Sequence, residues 1–254
     1  MRRALVLTAV FVLAGLAQAS DREKVVGRLN AAAIVMDEIM AAPDRGIPEE
    51  VLSSAECVAI VPSFLKGGFV LGAAYGKGAA TCRTPKGWSA PAFFRMEGGS
   101  VGLQIGGEAV DLVMLIMNQR GMQHLLSSKF QLGADAAAAA GPVGRHAEGD
   151  TDWKLRAEVL TYSRSRGVFA GISLKGNTLR QDKDDTRAFY GRMVPFRTSL
   201  TGAIAAPGDA HEFLSAVAKY ALRASGKEPA KPAPAPAPQA SPEPAAQKSE
   251  AKTE

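Results

Sequence analysis

The sequence predicts an α+β fold, in which a curved, largely antiparallel and glycine-rich sheet, curled toward a barrel, is flanked by N- and C-terminal helices. Two observations lead to this fold class. Strand-like runs follow one another through the middle of the chain, whereas the clearest helical patterns lie at its two ends. Many glycines also lie inside the strand-like runs, where glycine usually marks a bulge, a sharp bend or a close approach of two backbones.

Residues 1–19 have the features of a secretory signal peptide. Arg2 and Arg3 precede the apolar stretch 4–16, and Ala17-Gln18-Ala19 is a small-x-small cleavage site. The alternative, an uncleaved anchor, is disfavoured because a membrane span needs about 20 apolar residues. We therefore expect an exported protein of the periplasm, either soluble or peripheral to a membrane.

The other end of the chain also differs in composition from a folded domain. Residues 225–254 hold seven of the fifteen prolines and no large apolar side chain, so we expect a disordered Pro/Ala-rich tail with polyproline II character. Residues 20–224 then form one domain with a real core. The net charge of +5 includes Arg2 and Arg3. The remaining charge is mildly basic, which favours an anionic partner only weakly and does not indicate nucleic-acid binding.

The individual elements follow from local periodicity. Apolar residues at helical spacing predict a helix over 21–41, and Pro48 can start a short second helix. The later helical patterns are a short helix over 120–130, a capped helix over 182–191 with Asp184 or Asp185 as the cap, and an amphipathic helix over 209–225.

The strand-like segments begin at Cys57. They comprise 58–61, the glycine-rich run 67–83 with a turn at 76–78, two strands around 97–99, a buried strand over 111–118, and a hairpin over 155–176 that turns near Arg166-Gly167. The segment 131–144 is ambiguous, because its alanines favour a helix while its glycines and Pro142 limit the length of one.

The two cysteines, Cys57 and Cys82, lie near the ends of strand-like runs that are candidates for neighbours in the sheet. An even cysteine count in an exported chain predicts a disulfide between them. The alternative is a pair of buried free thiols.

The segment "GGSVG" matches the G-x-S-x-G pattern of a nucleophile elbow, with Ser100 at its centre. That motif needs a helix after the serine, but Val101, Leu103 and Ile105 alternate with small or polar residues as in a strand. A serine hydrolase is kept only as a minority alternative, and we assign no catalytic residue. The histidines lack the spacing of metal ligands, and we expect neither a metal nor a cofactor.

Four long stretches are similar to the SYLF-domain family: "ECVAIVPSFLKGGFVLGAAYGKG", "GWSAPAFFRMEGGSVGLQIGGEAVDLVMLIMN", "SKFQLGADAAAAAGPVGR" and "AEVLTYSRSRGVFAGISLKG", the last followed by "AFYG". They occur in the order and at the spacing of that family. The resemblance implies binding of phosphoinositides and other anionic membranes, as in eukaryotic members, helped by an amphipathic N-terminal helix. Fungal members also bind actin, whereas exported bacterial members resemble membrane-associated lipid-binding proteins.

The resemblance directs attention to the basic residues, which lie mostly at turns and strand ends. We expect an anion-binding surface that is formed by Lys66, Lys77, Arg145, Arg164, Arg166 and Lys175. Arg164 and Arg166 are expected on the polar face of their hairpin, with core on the other face. The alternative is scattered, solvated surface charge.

The resulting hypothesis is non-enzymatic binding of anionic phospholipid headgroups by an exported domain. The main alternative is a structural or interaction protein of the cell envelope that scaffolds a protein partner.

Overall fold

A computed structural model describes residues 2–42, 46–68, 71–101, 106–143, 157–165 and 168–224. The helices of this part are α1 (Arg2–Met40), α2 (Glu49–Ser54), α3 (Gln119–Leu126), α4 (Lys183–Tyr190), α5 (Phe196–Leu200) and α6 (His211–Ala224), with a 3-10 turn at Gly208–Ala210. The strands are β1 (Cys57–Gly68), β2 (Leu71–Thr84), β3 (Gly87–Trp88), β4 (Ala92–Val101), β5 (Gly106–Ile116), β6 (Lys129–Gln131), β7 (Ala138–Ala140), β8 (Val159–Ser165), β9 (Val168–Gly171) and β10 (Thr178–Gln181).

The strands form one strongly curled, half-barrel sheet in the order β6-β10-β4-β2-β1-β5-β8-β7, with β3 added to β2 and β9 to β8. The pairs are antiparallel except for β7 with β8. Helices from the two ends of the chain, α1 and α6, flank the sheet and pack against each other. The α+β prediction with a curved antiparallel sheet is therefore confirmed.

Each face of the sheet carries its own hydrophobic core. On the face that we call the α1 face, Ile60, Phe93 and Val113 pack with α1 and α6. On the opposite face, called the α3 face, Val61 and Leu112 pack with side chains from α3 and α5. The alternation of the two sets along each strand is the period-2 pattern of a sheet that is buried on both sides.

A bulge in β1 explains the position of two glycines in β2. Pairing is interrupted between Val61 and Phe64, where Ser63 adopts a positive φ of 60°. An added Cβ would lie 2.2 Å from the Ile60 carbonyl oxygen at Gly78, and 2.6 Å from Val61 Cγ1 at Gly76. The predicted turn at 76–78 is therefore wrong, because these glycines permit close strand approach inside β2 rather than a reversal of the chain.

Other differences from the predicted elements have equally local causes. The glycines at 98–99 lie inside β4, so the two strands predicted around them are one strand. The ambiguous segment 131–144 contributes the short strand β7. The α4 cap is Asp182, because its side chain accepts the backbone N–H groups of Asp184 and Asp185 at 3.1 and 3.0 Å. The hairpin that was predicted over 155–176 is confirmed as β8–β9.

Cys57 and Cys82 lie directly opposite each other on β1 and β2, with their Cα atoms 3.9 Å apart. Both are fully buried, and they form a disulfide that crosses the central strand pair. The predicted bridge is therefore confirmed. No helix in the described part of the chain combines the length and the apolar character needed to cross a membrane. The signal peptide stays a prediction, and the tail at 225–254 lies outside the described residues.

Candidate functional site

Four basic side chains lie in one line across the α1 face of the sheet. The register places Lys129 of β6 opposite Arg180 of β10, Arg180 opposite Arg95 of β4, and Arg95 opposite Lys77 of β2. Directly opposite residues of neighbouring antiparallel strands share a face, with their Cβ atoms about 5 Å apart. We call this line (Lys129, Arg180, Arg95 and Lys77) the cation row.

Like charges in such a line repel one another, and the carboxylates around the row decide how much of this charge is compensated. At the exposed end, a single carboxylate, Glu97, lies between two arginines. Its oxygens are 2.9 Å from Arg95 Nε and 3.7 Å from Arg180 Nε. Lys129 is exposed and, within the described part of the chain, has no carboxylate in ion-pair range. The exposed end therefore keeps an excess of positive charge.

At the other end of the row, Lys77 is enclosed by carboxylates from α4 and its cap. Lys77 Nζ lies 2.7 Å from Asp182 and 2.9 Å from Asp185, and Arg28 of α1 also pairs with Asp185. Two cations thus meet two carboxylates, and the cluster is neutral. The Asp182 side chain is 1% exposed. This end of the row joins β2, α1 and α4 in the interior.

The pKa values of the buried pair follow from this enclosure. Burial acts to lower the pKa of Lys77, but its hydrogen bonds to Asp182 and Asp185 and their charges outweigh burial and raise it. Burial likewise acts to raise the pKa of Asp182, but Lys77 and two backbone N–H groups outweigh burial and lower it. Both groups are therefore held in their charged forms.

Next to the exposed end of the row lies an apolar pair, Leu65 of β1 and Tyr75 of β2. The two residues are direct register partners, and Tyr75 is also opposite Glu97. Leu65 is 55% exposed and Tyr75 is 42% exposed, which is unusual for large apolar side chains side by side in a sheet. On the same face, two residues further along each of the four central strands, all the side chains are small or absent: Gly67, Ala73, Gly99 and Gly107. The strand ends beyond the apolar pair thus form a smooth, exposed surface.

The sequence-predicted cations are distributed over both faces of the sheet. Lys77 lies at the buried end of the cation row, whereas Lys66 lies on the α3 face, half-buried and opposite Glu108. Burial lowers the pKa of Lys66, although the charge of Glu108 acts to raise it. Lys175 is exposed in the loop after β9, where it approaches Gly133.

Arg164 of β8 connects three elements. Its guanidinium bonds to Asp111 of β5 at 2.8 and 2.5 Å and also pairs with Glu38 near the end of α1. Asp111 accepts the backbone N–H of Ser63 at the β1 bulge as well. Arg164 lies on the α1 face, on the same side of β8 as the buried Tyr162, so the expectation that its face is opposite the core is wrong. Its partners anchor α1 to the bulged part of the sheet.

The remaining members of the predicted set, Arg145 and Arg166, lie outside the described residues. The anion-binding role of the six cations stays a prediction. Three members of the cation row, Arg95, Arg180 and Lys129, were not in that set. They have no motif in common, and only the pairing of β6, β10 and β4 brings them together.

Ser100 lies inside β4, opposite Gly72, and the strand continues beyond it to Val101. A nucleophile elbow instead places its serine at a turn between a strand and a helix. The backbone context of Ser100 is thus that of a sheet residue. Among the described residues, no group of three potential ligands is placed to hold a metal ion.

The sequence is similar to those of several known proteins. Residues 97–220 match the family model Ysc84, described as "Las17-binding protein actin regulator". SH3 domain-containing YSC84-like protein 1 from Xenopus laevis is 38% identical over 173 residues, which are 67% of this chain and 51% of the relative. The human protein of the same name is 36% identical over 172 residues, 67% of this chain and 50% of the relative.

LAS seventeen-binding protein 3 from Saccharomyces cerevisiae is 33% identical over 168 residues, 65% of this chain and 36% of the relative. The chain spans about half the length of the animal relatives and less of the yeast protein. The family match runs from Glu97 inside β4, through β5 and β10, to Tyr220 inside α6. The chain therefore carries a domain of the SYLF (Ysc84) family.

Proposed function

We propose that this domain binds anionic membrane surfaces peripherally and without catalysis, through the exposed end of the cation row and the adjacent apolar pair. The observation that carries the proposal is the juxtaposition of the exposed Lys129 and the partly exposed Arg180 and Arg95 with Leu65 and Tyr75 on one face of the sheet. Arginine binds phosphate groups in a bidentate fashion, and apolar side chains gain free energy when they leave water.

The two parts of this surface contribute in different ways. A basic side chain near an anionic membrane is worth about 1 kcal/mol, and this attraction weakens as salt screens it. Full burial of a leucine-sized side chain is worth about 2 kcal/mol and is not weakened by salt in this way. We therefore expect binding to anionic vesicles that is reduced but not abolished at high ionic strength.

The test is co-sedimentation of the chain with vesicles of phosphatidylcholine alone or mixed with phosphatidylglycerol, at low and high salt. The double variant Lys129→Gln/Arg180→Gln removes two cations from the exposed end of the row. It should weaken binding to the anionic vesicles about 30-fold at low salt, given about 1 kcal/mol for each cation. Binding that does not distinguish the two vesicle types would contradict the proposal.

The matched control is Lys86→Gln/Arg197→Gln, which removes the same charge. Lys86 follows the Thr84 end of β2, far along the strand from Tyr75, and Arg197 is on α5, which packs on the opposite, α3 face of the sheet. Equal losses in the two double variants would mean that only net charge matters.

For the apolar pair, Leu65→Ser/Tyr75→Ser should reduce the salt-resistant part of binding. The exposed Ile34 of α1 and Met193 provide its control, as Ile34→Ser/Met193→Ser.

We further propose that the protein is exported to the periplasm. The predicted signal peptide supports this location, and the buried Cys57–Cys82 disulfide is a bond typical of oxidising compartments. Fractionation of cells that express the full chain, followed by thiol alkylation before and after reduction, tests the location. Recovery of the full-length chain in the cytoplasm with both cysteines alkylated before reduction would contradict it.

A protein partner is the second candidate. The matched family description names a Las17-binding protein, so members of this family include proteins named for a protein ligand. In this chain, the corresponding protein ligand would be a protein of the cell envelope. Absence of vesicle binding, combined with reproducible cross-linking to one envelope protein that Leu65→Ser/Tyr75→Ser abolishes, would favour this candidate over the membrane.

A further inference from the structure

A groove of about 490 Å³ lies between α6 and the β2–β3 end of the sheet. Its walls are the β2–β3 turn, the segment before the 3-10 turn and one side of α6, and they include Trp88, Pro207, His211, Leu214, Ala218 and Leu222. The groove is far from the cation row, so a role for it is independent of the membrane binding proposed above. Its walls are mostly apolar.

Helix α6 has a second apolar stripe that the core does not use. Phe213, Val217 and Ala221 are buried against the rest of the domain. Leu214, Ala218 and Leu222 recur every fourth residue on an adjacent side, remain half-buried, and line the groove. The stripe from His211 to Leu222 is about 16 Å long at 1.5 Å per residue, and it reaches almost to the end of the helix.

Trp88 is held in a fixed position at the wall of this groove. The Arg83 guanidinium lies 4.8 Å from the centre of the indole ring. Arg83 itself is fixed, because its Nε donates to the Ala55 carbonyl at 2.8 Å and its Nη2 to carbonyls at the end of α2. A rigid indole next to an apolar wall is the type of surface on which proline-rich, polyproline II segments dock.

The chain itself continues from α6 into such a segment. Gly226 is the second residue after the helix, and glycine is the residue that most easily reverses the chain after a helix. The run from Pro229 to Pro238 alternates proline with alanine except at Lys231. At 3.1 Å per residue, about six residues in polyproline II conformation would cover the groove. A chain that reverses at Gly226 therefore brings Pro229–Pro236 back along the groove.

We propose that the groove between Trp88 and α6 is the docking site for the first part of this chain's own Pro/Ala-rich tail, residues 228–236. Tethering makes this binding intramolecular, with an effective concentration of about a millimolar or more for a short connection. Weak stacking of prolines on Trp88 and on the α6 stripe then suffices to keep the site occupied.

Fluorescence of Trp88 tests the proposal in the full chain. Trp153→Phe leaves Trp88 as the sole tryptophan. In this background, replacing Pro229, Pro232, Pro234 and Pro236 by serine should shift the Trp88 emission to longer wavelength and increase its quenching by acrylamide. The control, Pro242→Ser/Pro244→Ser in the later part of the tail, should leave both signals unchanged.

A synthetic peptide of residues 226–238 provides the second measurement. It should restore the emission and the protection from acrylamide in the four-proline variant, and have little effect on the chain with its natural tail. The groove variant Ala218→Glu should abolish this response. Equal emission and quenching in all the tail variants would overturn the proposal, as would equal peptide binding with and without the natural prolines. A signal that varies with protein concentration would assign the site to the tail of a second copy and also overturn it.

Discussion

The two ends of the cation row show how the same side-chain chemistry is used in two ways. At the buried end, Lys77 is covered by α1 and α4 and meets Asp182 and Asp185, with Arg28 completing a neutral cluster. At the exposed end, Arg95 and Arg180 share only Glu97. Both ends lie on one face of one sheet, so the covering helices decide the difference.

This difference separates a structural from a binding role. A charge that is removed from water must be matched by partners, and it then contributes to the stability and specificity of the fold. A charge that stays hydrated adds little to stability, but it remains available to an external anion. The buried end is therefore expected to affect unfolding, and the exposed end to affect binding.

The largest expected effect comes from removing the buried cation. Lys77→Met keeps the apolar volume but leaves Asp182 without its lysine, so the free energy of unfolding should fall by about 3 kcal/mol. Arg180→Met at the exposed end should cost less than about 1 kcal/mol. Urea unfolding followed by circular dichroism measures both changes. Equal losses in the two variants would contradict the distinction between the ends.

A smaller effect is expected from acid. The pKa of Asp182 is lowered in the folded state, so its charged form adds stability above its unfolded pKa of about 3.9, and this stability is lost as pH falls through the folded pKa. Asp182→Asn keeps a capping side chain but removes the charge. The wild type should therefore be more stable than the variant at pH 7, and the difference should shrink below about pH 4.

Unfolding of the two proteins by urea at several pH values measures this difference. The control repeats the comparison, with and without Asp182→Asn, in a Lys77→Met background. There the lysine that lowers the pKa of Asp182 is absent. There the difference should depend much less on pH. A difference that stays constant from pH 7 to pH 3 would show that Asp182 contributes only as a cap.

The sequence predicted those features that depend on short stretches of chain. The period of the apolar residues predicted the second half of α1 from residue 21, α6 and the β8–β9 hairpin, because each element repeats its pattern locally. The disulfide between Cys57 and Cys82 was also predicted, because an even cysteine count in a chain that is predicted to be exported favours a bridge.

The errors arose where a residue's role depends on a distant one. Gly76 and Gly78 resemble a turn in the sequence, but they lie inside β2. Glycine is needed there because a side chain would collide with the bulged part of β1. The cap of α4 was predicted at Asp184 or Asp185, but Asp182 is the cap, and Asp182 also pairs with Lys77 from a distant strand. No local pattern contains that pairing.

The candidate site could not be predicted from the sequence for the same reason. The exposed end of the row needs β6, β10 and β4 to be neighbours, although their order in the sheet does not follow their order in the chain. Lys129, Arg180 and Arg95 therefore looked like scattered surface charges. Only the register of these strands shows that they share a face with Leu65 and Tyr75.

The smallest expected effect sharpens the assignment of the exposed end. Glu97 compensates two arginines there, so Glu97→Gln should strengthen binding to anionic vesicles about fivefold, equivalent to about 1 kcal/mol for one gained charge near the surface. Stability should change little, because the ion pairs of this half-exposed carboxylate are solvated. Vesicle titration at low and high salt measures the gain, which should diminish with salt. Glu212→Gln on α6, at an exposed carboxylate far from the row, is the control for net charge. An equal gain in the control would assign the effect to the whole molecule, whereas a gain confined to Glu97→Gln ties the arginines it pairs with to the membrane.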